Sequence, residues 1–494
     1  MNQTKDDLEN YFLPFRENII GLNHTIKTPH GEKRIIYADW TASGRNYLPI
    51  EKKLIDEFMP YVANTHSETS TTGMMMTYAY QEARQIIRKH VNATEEDVIV
   101  LSGSGMTKVI NKLQRILDLK VSNLYRFEVE EIHRPVVFIT HLEHHSNHTS
   151  WLETIADVEI IQPLNEKDPD LTYFKFLLEK YSHRSLKIAS VSGGSNVTGV
   201  IPDYYTIAEM IHEYGGYCFV DFACSAPYIE IDMHPANRPN AYLDAIFFSP
   251  HKFLGGPGTP GVLVFNRKLY QRRFPDEPGG GTVDWTNPWG GHKYVDDIDT
   301  REDGGTPPFL QSIKAALAIK LKEKMNPSNI LTREHYLLDL LWKEIENLPN
   351  VHILAPKQKD RLAILSFYID DLHYNLLVRI LNDYFGIQVR GGCSCAGTYG
   401  HYLLNIDQQT SKSITDLIDQ GDFSQKPGWV RISLHPTMTD EEVLSIAKSI
   451  VYIAENHPKL SNDYIQDYRI NFIQHRSNDV HEQIKRSIAQ KFEV

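Results

Sequence analysis

The sequence predicts an α/β protein: a large, doubly wound, mostly parallel sheet domain followed by a smaller α+β domain. Three observations carry this. Between about residues 95 and 265, short apolar runs alternate with amphipathic stretches, the texture of strands and covering helices. The runs are apolar at successive positions and bounded by Gly, Pro or Ser, as strands buried on both faces require. Beyond about residue 330 strands and helices continue without that alternation.

Each element follows in order. The opening MNQTKDDLENYFLPFRENI has acidic residues and no apolar core segment, so no signal peptide is expected, and residues 1–29 are read as a segment packing on the small domain. The large domain is assigned to 30–325. Its strands are DVIVLS (97–102), PVVFIT (135–140), LKIASVS (186–192), YCFVDF (217–222), AIFFS (245–249) and GVLVF (261–265). Val109, Ile110, Leu113, Ile116 and Leu117 fall at helical spacing, as do Ile207, Met210 and Ile211 after the start signal Pro202-Asp203. After the Gly/Pro-rich segment 276–308, a helix carrying Ile313, Leu317 and Leu321 joins the domains. The small domain, 326–457, is read as helix 334–347, strands 351–355 and 363–369, helix 374–385, short strand 386–390, strand 430–434 and helix 439–456. Residues 458–494 are read as an appended helix.

Composition narrows the function. The 494 residues carry 51 Lys plus Arg against 63 Asp plus Glu, a formal net charge of −12. Nucleic-acid affinity rests on clustered cations, which are not in excess, so no nucleic-acid partner is expected. Four cysteines, at 218, 224, 393 and 395, are too few for a disulfide framework in a chain of this length. No run approaches the ~18 to 20 apolar residues of a membrane span. A cytoplasmic protein is expected.

In open parallel sheets ligands bind beyond the C-terminal ends of the strands. SGSGMTK (102–108) is a small-residue turn entering a helix, able to hold an anion on backbone N–H groups; it matches GxGxxG only in part, with Lys108 at the third glycine. THLEHHSNHTSW (140–151) gathers four histidines but lacks HExxH, so no metal is assigned to it. GGSNVTG (193–199) offers the amide of Asn196. Asp221 ends an apolar strand, where a carboxylate needs a cationic or proton-donating partner. Lys252, in SPHKFLGGPGTPG (249–261), follows another buried strand and is either a solvated loop residue or an amine held in a cleft.

One cofactor makes these ends coherent. Pyridoxal 5′-phosphate needs a phosphate cradle, an aromatic lid, an acid at the pyridine nitrogen and a lysine. The cradle at 102–108, His145, Asp221 and Lys252 would supply them in turn.

With those motifs the sequence resembles the class V aminotransferase family of fold-type I pyridoxal phosphate enzymes, over about residues 30–456, and within it the cysteine desulfurase and selenocysteine lyase branch. SPHKFLGGPGTPG is similar to the family's Schiff-base lysine signature, which implies that role for Lys252 and phosphate binding by Ser249 and His251. YADWTASG (37–44) is similar to a segment beside the substrate, bringing in Ala42. By the same resemblance His145 of EHHSN stacks on the ring, Asn196 serves the cofactor and the substrate carboxylate edge, and Asp221 holds the ring nitrogen. GGTPP (304–308) is similar to a motif whose threonine reaches the neighbouring subunit's phosphate, implying a homodimer with Thr306 acting in trans.

Two departures stand out. Cys224 occupies the place where the family has Gln or His near the ring's phenolic oxygen. The cradle reads Gly105-Met106-Thr107 rather than paired threonines, leaving Met106 only its backbone. VRGGCSCAG (389–397) resembles the desulfurase stretch in which an arginine holds the substrate carboxylate and a cysteine takes sulfur, implying those roles for Arg390 and Cys395; Cys393 has none in that scheme. The resemblance thus implies a pyridoxal phosphate enzyme acting on an amino acid, L-cysteine foremost, with a sulfur-acceptor protein as a partner. An aminotransferase, lyase or epimerase would need everything except Cys395. A non-catalytic scaffold or metal-binding protein would have no use for Lys252.

Overall fold

Apolar residues in both phases of the period-two alternation are what make the six runs strands buried on both faces. In the computed structural model, which describes residues 5–65, 67–122, 129–477 and 480–493, Ile99, Leu101, Val136 and Phe138 face one apolar layer while Val98, Val100, Val137 and Ile139 face the other. The outermost residues of the N-terminal segment and part of the C-terminal extension lie outside the described residues.

The large sheet has seven strands: β1 (Asp97–Ser102), β2 (Val136–Ile139), β3 (Asp157–Ile160), β4 (Lys187–Ser192), β5 (Tyr217–Asp221), β6 (Ala245–Phe248) and β7 (Gly261–Asn266). Their order is β1-β7-β6-β5-β4-β2-β3. β7 runs antiparallel to both neighbours and the other pairings are parallel. Strand β3 was not expected: its sequence, DVEI, is half-buried and carries two acids, so it lacks the doubly apolar signature. Helices cover both faces, and their starts follow side-chain chemistry, as where Asp203 accepts from the Thr206 amide at 3.0 Å.

The linking helix is Phe309–Met325, followed by helix Pro327–Ile345. The second sheet contains β8 (Val351–Ile353), β9 (Ile364–Ile369), β10 (Arg390–Gly392) and β11 (Trp429–Ser433), in the order β8-β9-β11-β10, all antiparallel. The short strand expected at 386–390 divides in two. Ile387–Gln388 pairs in parallel with Ile36–Tyr37, and only Arg390–Gly392 joins the small sheet. Residues 36–41 are therefore hydrogen-bonded to small-domain elements, including Thr41 N to Ser433 Oγ at 2.9 Å.

The N-terminal helix Lys5–Arg16 buries Leu8 and Phe12 and is tied by Glu9 to Arg333 at 2.8 Å and by Arg16 to Glu442 at 2.7 Å. Beyond helix Asp440–Leu460 the extension is not a single helix: a hairpin, Tyr464–Asp467 with Phe472–His475, precedes helix Val480–Gln490. Among the described residues no helix is long and apolar enough to cross a membrane.

Candidate active site

The C-terminal ends of β1, β2, β4, β5 and β6 converge on one cavity of about 360 Å³, closed from the other side by the loop after β10 and by β11. Of the residues expected there, Ala42, Gly105, Met106, Thr107, Asn196, Asp221, Cys224, Ser249, His251, Lys252, Arg390 and Cys395 all line it. Thr306 is exposed and does not line it.

Lys252 ends a one-turn 3₁₀ segment, Pro250–Lys252. The glycines after it let the chain fold back: a Cβ on Gly256 would collide with the Pro250 carbonyl. Burial pulls the Lys252 amine below the ordinary lysine range, partly countered by Cys224 and Asp221. Asp221, only 6 % exposed, is pushed up to about 6 by burial, against the Ala223 amide at 2.9 Å and Lys252, which favour its ionised form. Cys224 is buried, with its thiol pushed up to about 11 by desolvation, and its Sγ donates to the Ser195 carbonyl at 3.5 Å.

His145 requires a correction. It does not line the cavity; His144 does. His144 is the N-cap of helix His145–Leu152, with its Nδ1 accepting from the Ser146 amide at 3.1 Å, and this extended cap turns its ring inward. Burial and the neighbouring Lys252 lower it to about 3, so it is a neutral ring at physiological pH. His145 faces the loop that carries Cys395 instead. Its amide donates to the Cys395 carbonyl at 2.7 Å, and its Nε2 accepts from the Gly397 amide at 2.9 Å.

That loop is held in an uncommon shape. Ser394 and Cys395 both have positive φ, 51° and 57°. The Asn196 side chain donates to the Ser394 carbonyl at 2.7 Å, and Trp429 Nε1 to Ser394 Oγ at 3.2 Å. These bonds over-determine two left-handed residues in a row. Cys395 remains exposed at the mouth, while Cys393 is half-buried against an apolar cluster.

Arg431 was missed by sequence reasoning, although a charge inside the run GWVRISL is a signal that a buried partner exists. It donates to Asp39 Oδ1 at 2.7 Å and to the Asn196 carbonyl at 3.1 Å, while its Nε is buried without a partner. Arg390 lies directly opposite it in the β10–β11 register, so both guanidinium groups leave the sheet on one side and line the cavity. Like charges so opposed repel unless anions lie between them.

At the far end, helix Met106–Ile116 points its N-terminus at the cavity with Gly105 as N-cap and no side-chain cap. The Met106 amide is already taken by Ser249 Oγ at 2.9 Å. His251 Nδ1 is buried with no hydrogen-bond partner, and a Cβ on Gly105 would lie 3.1 Å from His251 Cε1 and 3.3 Å from Ser249 Oγ. An orphan ring nitrogen, a hydroxyl, helix N–H groups and space kept by a missing Cβ suit a phosphate.

A family model, Aminotransferase class-V, matches residues 36–446. The chain belongs to the class V aminotransferase family. Members of this family use pyridoxal phosphate, and the cradle, buried acid and half-buried lysine of this chain fit that group. Among curated relatives, the "Probable cysteine desulfurase" of Staphylococcus epidermidis (strain ATCC 12228 / FDA PCI 1200) is 30 % identical over 372 residues, spanning 74 % of this chain and 84 % of the relative. The protein of that name from Staphylococcus aureus (strain Mu50 / ATCC 700699) is 29 % identical over 368 residues with the same coverage. Among solved structures, the apo cysteine desulfurase from Thermococcus onnurineus NA1 aligns with a TM-score of 0.71 at 23 % identity, covering 90 % of this chain and 98 % of that one. The cysteine desulfurase CsdA from Escherichia coli aligns at 0.67 and 19 % identity, covering 92 % and 99 %. At these identities the shared property is the fold, fold-type I with a mostly parallel seven-stranded sheet.

Proposed function

We propose that this chain is a pyridoxal phosphate enzyme that removes sulfur from L-cysteine, giving L-alanine and a persulfide on Cys395. The observation that carries the reading is one cavity lined by a half-buried lysine, a buried acid, two opposed arginines and an exposed thiol. The names of the relatives support the substrate.

Bound there, pyridoxal phosphate supplies an electron sink that acidifies the α-carbon of an attached amino acid. Ser249, His251 and the first turn after Gly105, with Thr107, would hold the phosphate. Asp221, ionised beside a cationic ring nitrogen, would keep that nitrogen protonated. His144 would stack on the ring in the role expected of His145, and His145 would position the cysteine loop. Lys252, its amine made easier to deprotonate by burial, would take the proton from the α-carbon and return one to the departing side of the substrate. Arg390 and Arg431 would clamp the substrate α-carboxylate, with Asn196 at its edge and Ala42 beside it. The Cys395 thiolate would attack the substrate sulfur: the carbon–sulfur bond breaks, a sulfur–sulfur bond forms, and the electron pair returns to carbon.

Because Cys395 is exposed, its persulfide would be open to a sulfur-acceptor protein. The exposure of Thr306 away from this chain's cavity supports a homodimer in which it acts in trans. A cytoplasmic location, where thiols stay reduced, belongs to the same proposal. Cys395→Ala tests the reaction: it should abolish alanine formation from L-cysteine while the cofactor remains bound. Alanine and sulfide formed at the unaltered rate would remove the persulfide from Cys395, whereas a keto acid or the D-amino acid in place of alanine from the unaltered enzyme would favour an aminotransferase, lyase or epimerase.

A further inference from the structure

The C-terminal hairpin meets the N-terminal hairpin far from the cavity. Tyr464 and His475 pair across the hairpin's open end, and the Arg476 amide donates to the Asp463 carbonyl at 2.9 Å, so Asp463 and His475 come side by side. His30 reaches them from the turn between Thr25–Thr28 and Gly31–Arg34, a turn closed by the His30 amide on Thr28 Oγ1 at 3.1 Å. One ring nitrogen from each histidine and one carboxylate oxygen lie within 4.8 Å of one another. Among the described residues this is the one group of three or more metal-ligating side chains so disposed.

Two details point to a ligand rather than to packing. The Nε2 atoms of both His30 and His475 are buried without hydrogen-bond partners, and His475 is only 8 % exposed. An unpaired buried ring nitrogen is costly, and here two face one carboxylate. The outer groups are also arranged as supports. His475 Nδ1 accepts from the Ser477 amide at 3.2 Å and lies 2.9 Å from Ser477 Oγ, two contacts that fix the ring with its Nε2 side toward Asp463 and His30. The Tyr384 hydroxyl donates to Asp463, and its ring stacks on His30 at 3.6 Å. Of the cations nearby, Arg379 is paired with Asp383 at 2.9 Å, and Lys33 acts on His30 from the same hairpin.

We propose that His30, Asp463 and His475 form a site for a divalent transition metal, zinc by preference, that fastens the C-terminal extension to the N-terminal hairpin. Two imidazoles and a carboxylate suit zinc, and tetrahedral bonds of ~2.0–2.1 Å need donor separations of about 3.3 Å. The ion would draw the three side chains together by at most about 1.5 Å, a side-chain adjustment. A water molecule would complete the fourth position from the side of His30 and Asp463, which are half-buried.

The test uses the full chain with cofactor bound, treated with chelator, dialysed and titrated with zinc alone. About one zinc ion per chain is expected, together with a raised melting temperature and slower proteolysis beyond residue 457. His30→Asn and Asp463→Asn should each lose the bound zinc while keeping cofactor absorbance. A Cys393→Ser/Cys395→Ser variant should retain it. X-ray absorption on the zinc-loaded wild type should show only nitrogen and oxygen ligands, a result that needs no variant to fold. Sub-stoichiometric zinc, zinc retained in both ligand variants, zinc lost in the cysteine variant or sulfur in the coordination shell would each overturn the proposal.

Discussion

Replacing Asp221 with asparagine should raise the stability of the cofactor-free protein while destroying its activity. The Asp221 carboxyl titrates at about 6 in the folded chain, against an ordinary value of 3.8, because burial disfavours its charge. The folded state thus holds the proton more tightly than the unfolded state. Stability falls as pH rises from 3.8 to about 6, the penalty is complete above that, and it is absent below 3.8. At about 1.36 kcal/mol per pH unit the cost near neutrality is about 3 kcal/mol. Asparagine keeps an acceptor for the Ala223 amide but buries an NH₂ group, which takes back about 1 kcal/mol. Denaturant titration of cofactor-free protein at about pH 7.5 should find Asp221→Asn more stable by about 2 kcal/mol, with the gap gone or reversed below about pH 4. With cofactor, the lost anchor for the ring proton should lower turnover by at least ~10²-fold. A variant less stable than wild type at about pH 7.5, or a gap independent of pH, would refute the reasoning.

Other predictions follow from the same geometry. Gly105→Ala should weaken cofactor binding, measured by absorbance titration, because the new methyl group enters the space between His251 and Ser249; unchanged affinity would remove the phosphate from that cradle. Arg431→Lys should raise KM for the amino acid by roughly 10- to 100-fold with a smaller effect on kcat, since lysine cannot serve Asp39, the Asn196 carbonyl and a carboxylate together. An unchanged KM would leave the clamp to Arg390 alone. His145→Ala, which removes the acceptor of the Gly397 amide, should slow persulfide formation while leaving the cofactor spectrum unaltered; His144→Ala should shift that spectrum.

What could be read from the chain depended on where the physical signal lay. Six of the seven strands were legible because both faces are buried and both phases of the alternation are apolar, as in DVIVLS. Lys252, Asp221 and the Gly105 turn were legible because each ends or follows such a strand. Edge strand Asp157–Ile160 was hidden by its acids. The pairing of Ile387–Gln388 with Ile36–Tyr37 was hidden by its shortness and its separation along the chain. Adjacent histidines were indistinguishable by residue type, and the extended φ and ψ of the helix cap decided that His144 rather than His145 enters the cavity. Arg431 looked like one charge in an apolar run until Asp39 and Asn196 came beside it. The grouping of His30, Asp463 and His475 draws on both ends of the sequence, with no local spacing to reveal it.

The central claim is that Cys395 takes sulfur from an amino acid activated in the Lys252 cavity. Mass spectrometry of the Cys395 peptide, after incubation with L-cysteine in the absence of reductant, tests it most directly. The account predicts a one-sulfur mass increment on Cys395, matched by an equal amount of alanine and absent in Lys252→Ala. Alanine formed with Cys395 unmodified, or the increment persisting without Lys252, would contradict it.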